Sequence, residues 1–345
     1  MTIFDLIVSS EIVAYWELKT QDRAPYLGEE LWPSEQQMSL KLEWLKGSSG
    51  LPIVLRPSAY DVSAIPRPRI GMEKLSANMP FFKESMYIDE ELRQQLNMVL
   101  ATGNQALIDM IVRQIFDDEM QLLEGAAAQR ERMRMMALTT GVIEVEGNGQ
   151  VYSYDYQMPS NHKVTVSKSW SDPTATILED IRAGIETIEA DTGVTVERAV
   201  TSSKVIGYMR KNNDIKGTLN VLSQGTGYIS DNRILSYLSD ELGIDVVLND
   251  KQYKDETKTT QRYVADDVFV MFPSGTLGNT KFGMTPEQSD LMNSNVANVS
   301  ITDTGVAVTT TQKTDPVQVE TKVTQICLPD FPTADQVYIL DVLAA

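Results

Sequence analysis

The chain has 345 residues and a formal net charge of -18, with 48 acidic side chains against 30 Lys and Arg, 42% hydrophobic residues and 23% charged. That length suits one large domain or two to three smaller ones around a buried core, and the composition excludes a disordered or fibrous chain. A surface this acidic repels polyphosphate, which speaks against a dedicated nucleic-acid binder but lets a protein lie near DNA without adhering.

Residues 1–20 predict a short amphipathic helix. With Asp5, Glu11 and no basic leader, the stretch does not read as a secretory signal. No apolar run approaches the ~20 residues of a membrane span. A polar connector follows, TQDRAPYLGEELWPSEQQ, with Tyr26 and Trp32 as aromatic anchors. Residues 51–84 carry prolines at 52, 57, 66, 68 and 80 among short alternating patches. Proline removes ladder donors, so the pattern predicts edge strands or a projecting hairpin. Arg67, Arg69 and Lys74 gather near its tip. A basic arm on an acidic protein fits an acidic face of a neighbouring copy.

IDEELRQQLNMVLA predicts a helix with acids in its first turn, where the helix dipole favours them. After Gly103, Ile108, Ile111, Val112, Ile115, Leu122, Leu123, Ala126 and Met133 recur at helical spacings. They predict one helix of about eight turns, ended by Gly141. Val142–Glu146 and Val151–Tyr156 flank Gly147-Asn148-Gly149 and predict a tight β-hairpin. From Asp172-Pro173 a helix with Ile177, Ile181, Ile185 and Ile188 on one face opens an α/β alternation that runs to about residue 285. VQVETKVTQICL and QVYILDVL then return to strands. The strands near 142–156 and those after 317 are expected to share one sheet, with the α/β module inserted between them.

The residues that suggest chemistry lack the arrangement it needs. Asp117, Asp118 and Glu119 are consecutive, and neighbours in a helix do not face one another, so they do not jointly clasp an ion. Glu119 alone falls on the apolar face, which predicts a buried partner such as Arg113 or a residue of a neighbouring copy. Arg130, Arg132 and Arg134 suit the C-terminal end of a helix, have no interleaved aromatics for base stacking, and lie too far from those acids to pair with them. Their partners are expected on other elements or other subunits. His162, the only histidine, reads as a solvated loop residue, and no Gly-x-Ser-x-Gly elbow accompanies it. SQGTGYISD and FPSGTLGNTKFG lack the remaining residues of phosphate-binding loops and read as turns. Cys327, the only cysteine, reads as a buried free thiol. The residues thus predict no catalytic site, metal site or cofactor, but a chain with reaching segments that suits self-assembly.

The order of elements resembles the major capsid proteins of tailed bacteriophages, in particular the lambda-type major capsid protein E family with its Hong Kong 97-type capsid fold. The segments that carry the resemblance are LPIVLRPSAYDVSAIPRPRIGMEKLSANMPFFKESMYI, the helix beginning NQALIDMIVRQIFDDEMQLLEGAAA, GNTKFG, and TKVTQICLPDFPTADQVYILDVLAA. The resemblance implies an α+β fold with an N-terminal arm at 1–45 and an extended loop at 46–86 lying over a neighbouring subunit. It further implies a peripheral domain at 87–171 and 286–345, with a spine helix at about 104–138, and an axial α/β domain at 172–285.

The implied function is a major capsid protein that self-assembles into the icosahedral head shell around a double-stranded DNA genome. The implied partners are further copies in hexamers and pentamers, a portal protein, a decoration protein and a separate scaffolding protein, since a 45-residue arm is short for a built-in scaffold. Packaged DNA would lie near the inner face without sequence-specific binding. No membrane is implied, and the location is the virion after the host cytoplasm. Arg67, Arg69, Lys74, Glu119, Arg130, Arg132 and Arg134 are the candidates for intersubunit contacts. Two other readings stand beside this one: an encapsulin-type nanocompartment shell, and a soluble enzyme with a metal at residues 117–119.

Overall fold

The computed structural model describes residues 8–21, 23–46, 73–88, 90–102, 104–147, 149–223, 229–292, 297–315 and 317–344. In chain order the elements are α1 (Ser9–Thr20), α2 (Leu27–Leu31), β1 (Ser34–Gln36), β2 (Lys41–Lys46), β3 (Glu73–Asn78), β4 (Phe81–Ile88), α3 (Glu90–Thr102) and α4 (Gln105–Thr140). Then come β5 (Val142–Gly147), β6 (Gln150–Asp155), β7 (Lys163–Thr165), α5 (Ile177–Thr192), β8 (Arg198–Thr201), α6 (Ser203–Lys211), α7 (Asn213–Ser223), α8 (Asp231–Leu242) and β9 (Asp245–Leu248). The chain closes with β10 (Gln252–Lys254), β11 (Thr260–Arg262), β12 (Val268–Phe272), β13 (Thr280–Phe282), β14 (Asn298–Thr302), β15 (Val306–Thr314), β16 (Val317–Pro329) and β17 (Tyr338–Asp341). Arg67, Arg69 and the predicted tip of the proline-rich arm lie outside the described residues, as does the side chain of Lys74 in β3.

The chain divides into two compact units. The first comprises Met1–Leu42, Ser76–Arg134 and Gly278–Asp330, and β16 organises it. Its sequence alternates up to Thr324 and is apolar only from Ile326, while burial covers one face at first and both from Val323 onward. On one edge β15 pairs antiparallel over Val317–Gln325. On the other, β4 pairs with residues 319–326 and β13 continues with residues 327–329. Parallel β1 joins β13, and β14 completes the sheet beyond β15. The β14–β15 turn holds Asp303 at φ 45 and Thr304 at φ 72, a conformation usually given to Asn-Gly. A Cβ on the following Gly305 would meet Phe282 Cβ at 2.7 Å. Against this sheet, α1 buries Ile12, Val13 and Trp16, and Ser9 Oγ meets Ser300 Oγ at 2.9 Å.

Helix α4 has 36 residues, about 54 Å at 1.5 Å per residue. Burial rises along it. No side chain from Gln105 to Gln114 is buried, whereas most from Arg130 to Thr139 are. The unit boundary falls within it, after Arg134.

The second unit comprises Glu43–Leu75, Met135–Leu277 and Phe331–Ala345. Its five-stranded sheet has the order β7-β17-β12-β8-β9. The continuous apolar run of β12, VFVMF, is that of a strand buried on both faces, and the strand runs antiparallel to both neighbours. Helices α5 to α8 supply Ile177, Ile181, Ile188, Val205, Ile206, Met209, Ile215, Leu219, Ile234 and Leu238 to one core with Phe269, Met271 and Leu340. Gly184 lies where α5 crosses this sheet, and any Cβ there would collide with Met271 and Tyr338.

One topological expectation is corrected. The hairpin β5–β6 forms its own two-stranded sheet and does not join β16. Both edges of β16 are taken, by β15 and by β4 with β13, and β17 pairs instead with β12 and β7.

Candidate functional site

The second half of α4 places charges where a helix normally keeps apolar residues. Arg130, Glu131 and Arg134 are 4%, 0% and 1% exposed. A charge buried to that extent must be paired and hydrogen-bonded. Arg130 meets that need as a fork: Nη1 donates to Gln325 Oε1 at 2.9 Å and Nη2 to Asp303 Oδ2 at 2.7 Å. Gln325 in turn donates to the Ala126 carbonyl at 3.1 Å, so β16 and the β14–β15 turn are both tied to α4. Arg134 donates Nε–H to Thr280 Oγ1 at 2.9 Å, and its Nη1 stands 3.8 Å from Glu131 Oε2. Burial lowers the pKa of Arg134, opposed by the Glu131 charge.

The same seam receives the N-terminal connector. Gly28 N donates to Glu131 Oε1 at 3.1 Å. Thr280 Oγ1 donates to the Trp32 carbonyl at 3.1 Å, and the fully buried Trp32 donates Nε1–H to the Asp330 carbonyl at 2.7 Å. Burial raises the Asp330 pKa, partly offset by the Asn279 amide and by Lys281. The two aromatic anchors differ: Trp32 is locked in the core, while Tyr26 is half-buried under Arg23, 4.4 Å from its ring centroid.

The three consecutive acids part company, as helix geometry requires. Asp117 turns to α1, bonding Lys19 Nζ and accepting from Tyr15 Oη at 3.0 Å. Those bonds lower its pKa, and Arg113 adds to the effect. Asp118 is exposed. Glu119, 3% exposed, faces the sheet and accepts from Thr321 Oγ1 at 2.7 Å. Arg113, an expected partner of Glu119, lies on the exposed side of the helix, and the group that meets Glu119 within the chain is the neutral hydroxyl of Thr321. Burial pushes the Glu119 carboxyl up to about 7, against the Thr321 bond and helped by Asp118.

The remaining sequence candidates fall as follows. Arg130 and Arg134, expected to reach other elements or other subunits, meet other elements of their own chain: Arg130 reaches Gln325 and Asp303, and Arg134 reaches Thr280. Arg132 is half-buried. His162 is corrected from a solvated loop residue to a fully buried one. It sits in the second unit with Nε2 3.0 Å from Asp191 Oδ2, and its ring is tilted 6.0 Å from Tyr338. Cys327 is buried and free, and burial pushes its thiol up to about 11. Sequence reasoning missed Gly28, Glu131, Asp303, Gln325 and Asp330. Only the Glu131–Arg134 spacing of one helical turn offered a local signal.

Chemically the seam is adhesive: charge-assisted hydrogen bonds in a low-dielectric interior hold a connector, a helix and a sheet in one register. Among the described residues no group of three or more His, Cys, Asp or Glu is placed to hold a metal ion, and no helix is long and apolar enough to cross a membrane.

Comparison with known proteins adds the following. The family model described as phage major capsid protein E matches residues 11–342. No curated protein matches the chain. Among solved structures, the putative capsid protein of a prophage of E. coli CFT073 is similar at TM-score 0.60 and 14% identity, over 97% of this chain and 99% of that one. A phage-related protein from Bordetella bronchiseptica RB50 gives TM-score 0.57 at 11% identity over 97% of both chains. The capsid of cyanophage A-1(L) gives 0.53 at 12% identity over 93% of both. At such identities the likeness speaks for the fold, an α+β Hong Kong 97-type capsid fold.

Proposed function

The chain belongs to the phage major capsid protein E family, and on that premise we propose how one copy is used in the shell that such proteins form. The family match over residues 11–342 carries the reading. In this assignment residues 1–45 are the N-terminal arm, 46–86 the extended loop, 87–171 with 286–345 the peripheral domain and 172–285 the axial domain. Copies gather as hexamers and pentamers, because head-to-tail contacts that close on an axis form rings. The basic tip of the extended loop, with Arg67, Arg69 and Lys74, docks on an acidic face of the next copy, and opposite charges steer that encounter.

A separate scaffolding protein and a portal protein complete the assembly, and the shell encloses double-stranded DNA. A net charge of -18 supports a wall that does not trap the packaged genome. The protein acts as a structural component and not as an enzyme; the buried charges of α4 serve cohesion.

Negative-stain microscopy of the overexpressed chain, alone and with its genomic neighbours, tests this. Closed shells, or hexamers and pentamers, are expected, with regular size restored by a co-expressed scaffold. Uniform shells formed by the chain alone around a protein cargo favour the nanocompartment use of the fold. Only small discrete oligomers under every condition would overturn the shell reading.

A further inference from the structure

Glu119 has no part in the assembly scheme, and its surroundings are unusual for a carboxylate. On the face of the sheet toward α4, Thr321 of β16 lies between Met86 of β4 and Thr310 of β15, each opposite it in register. Residues directly opposite in antiparallel strands share a face. Glu119 Oε1 accepts from Thr321, but its buried Oε2 has no hydrogen-bond partner among the described residues. The buried Thr310 Oγ1 has none either. An acceptor without a donor and a hydroxyl without a partner therefore border the same threonine.

Among the described residues no cation answers this carboxylate. On α4, Asp118 is a like charge, and Asp117 is held by Lys19 and Tyr15 of α1, while Arg113 acts on Asp117. On β16, Glu320 and Lys322 flank Thr321 but point to the opposite face, where they pair with Lys313 and Glu287. The residues opposite Val319 and Val323 are Ile88, Glu84, Gln312 and Val308, which add only one more acid, the exposed Glu84. Farther down α4, Arg130 is bound by Asp303 and Gln325. The helix before Ile115 buries no side chain, and beyond it Ile115, Met120, Leu122 and Leu123 are buried with Glu119, which is the one buried acid among them.

We propose that Glu119, with Thr321 and Thr310, is a proton-responsive pin between α4 and the sheet. Protonated, the carboxyl is a neutral group that the threonine row accommodates. Ionised, it is a buried charge without a counter-ion, and the first half of α4 loosens from β16. The folded carboxyl titrates at about 7 against 4.5 for an ordinary glutamate. Its contribution to closure is therefore full below pH 4.5, falls as pH rises toward 7, and does not change further above about 8.

Hydrogen exchange of the unassembled protein over residues 108–123, corrected for the chemical rate, reads this directly. The opening constant is expected to rise roughly tenfold between pH 6 and 8 and then level off. In Glu119→Gln it should stay flat. Thr321→Val removes a bond that favours the charged form, so the midpoint should move to higher pH. In infrared spectra a protonated-carboxyl band should disappear on the same midpoint and be missing from Glu119→Gln, which decides the matter even if that variant packs differently. A flat profile in the native chain, an unchanged rise in Glu119→Gln, or a Thr321→Val midpoint that does not move overturns the proposal.

Discussion

Gly28 donates its backbone N–H to Glu131 Oε1 at 3.1 Å, and the space around it admits no side chain: a Cβ there would stand 2.7 Å from Arg134 Cδ and collide with the Glu131 carboxylate. The N-terminal connector is thus seated on a buried charge pair that only a glycine can approach.

Gly28→Ala should for that reason unseat the connector. Overpacking in a close-packed interior costs about 1–3 kcal/mol. Urea unfolding of the unassembled protein should show a loss in that range, and residues 26–36 should exchange amide hydrogens faster. An unchanged midpoint would mean that the connector shifts freely to make room.

Arg130→Met keeps the bulk but strands Asp303 and Gln325. Removing one partner of a buried pair costs about 3–5 kcal/mol, and the partial exposure of Asp303 reduces that to about 2–3. Arg130→Lys, a point charge that cannot fork, should fall between the two. A double-mutant cycle with Asp303→Asn should return a coupling of about 1–2 kcal/mol. A coupling near zero would reassign the loss to packing.

Cys327 should be inert to thiol reagents while the chain is folded. Its thiol is pushed up to about 11 from 9, so at pH 8 the thiolate fraction is about 100-fold below that of an unperturbed cysteine, before any loss of access. Labelling at pH 8 should follow unfolding. Fast labelling of native protein would show that the β13–β16 junction opens.

Arg67→Glu combined with Arg69→Glu should block assembly and leave a folded monomer, read by circular dichroism and microscopy side by side. Normal shells from this variant would exclude the basic-loop contact.

Much of the fold is legible in the sequence where the signal is local. The spacing from Ile108 to Met133 predicts one helix of about eight turns after Gly103, ended by Gly141, and α4 spans Gln105–Thr140. The glycines at 147 and 149 mark the β5–β6 hairpin. The β14–β15 hairpin escapes because Asp303-Thr304, not Asn-Gly, adopts the left-handed turn. The seam is illegible for a different reason. Glu119 and Thr321 are 202 residues apart, and Arg130 and Gln325 are 195 apart. Arg130 and Gln325 do not announce burial by themselves, since polar side chains on a helix or strand are ordinarily solvated, whereas Glu119 is marked by its place on the apolar face and only its distant partner is hidden. His162 misleads for the same reason, its partner Asp191 lying 29 residues onward.

The gradient of burial along α4 has a mechanical consequence. A rod clamped at one end and bare at the other is a cantilever: a side load at the bare end is felt as torque at the clamp. Over about 38 Å from Gln105 to Arg130, a sideways displacement of ~3 Å at the bare end turns that stretch by only about 5°. Neighbours pressing on the bare end could thus be accommodated by a slight tilt, while the clamped third, bolted by Arg130 and Arg134, keeps its register.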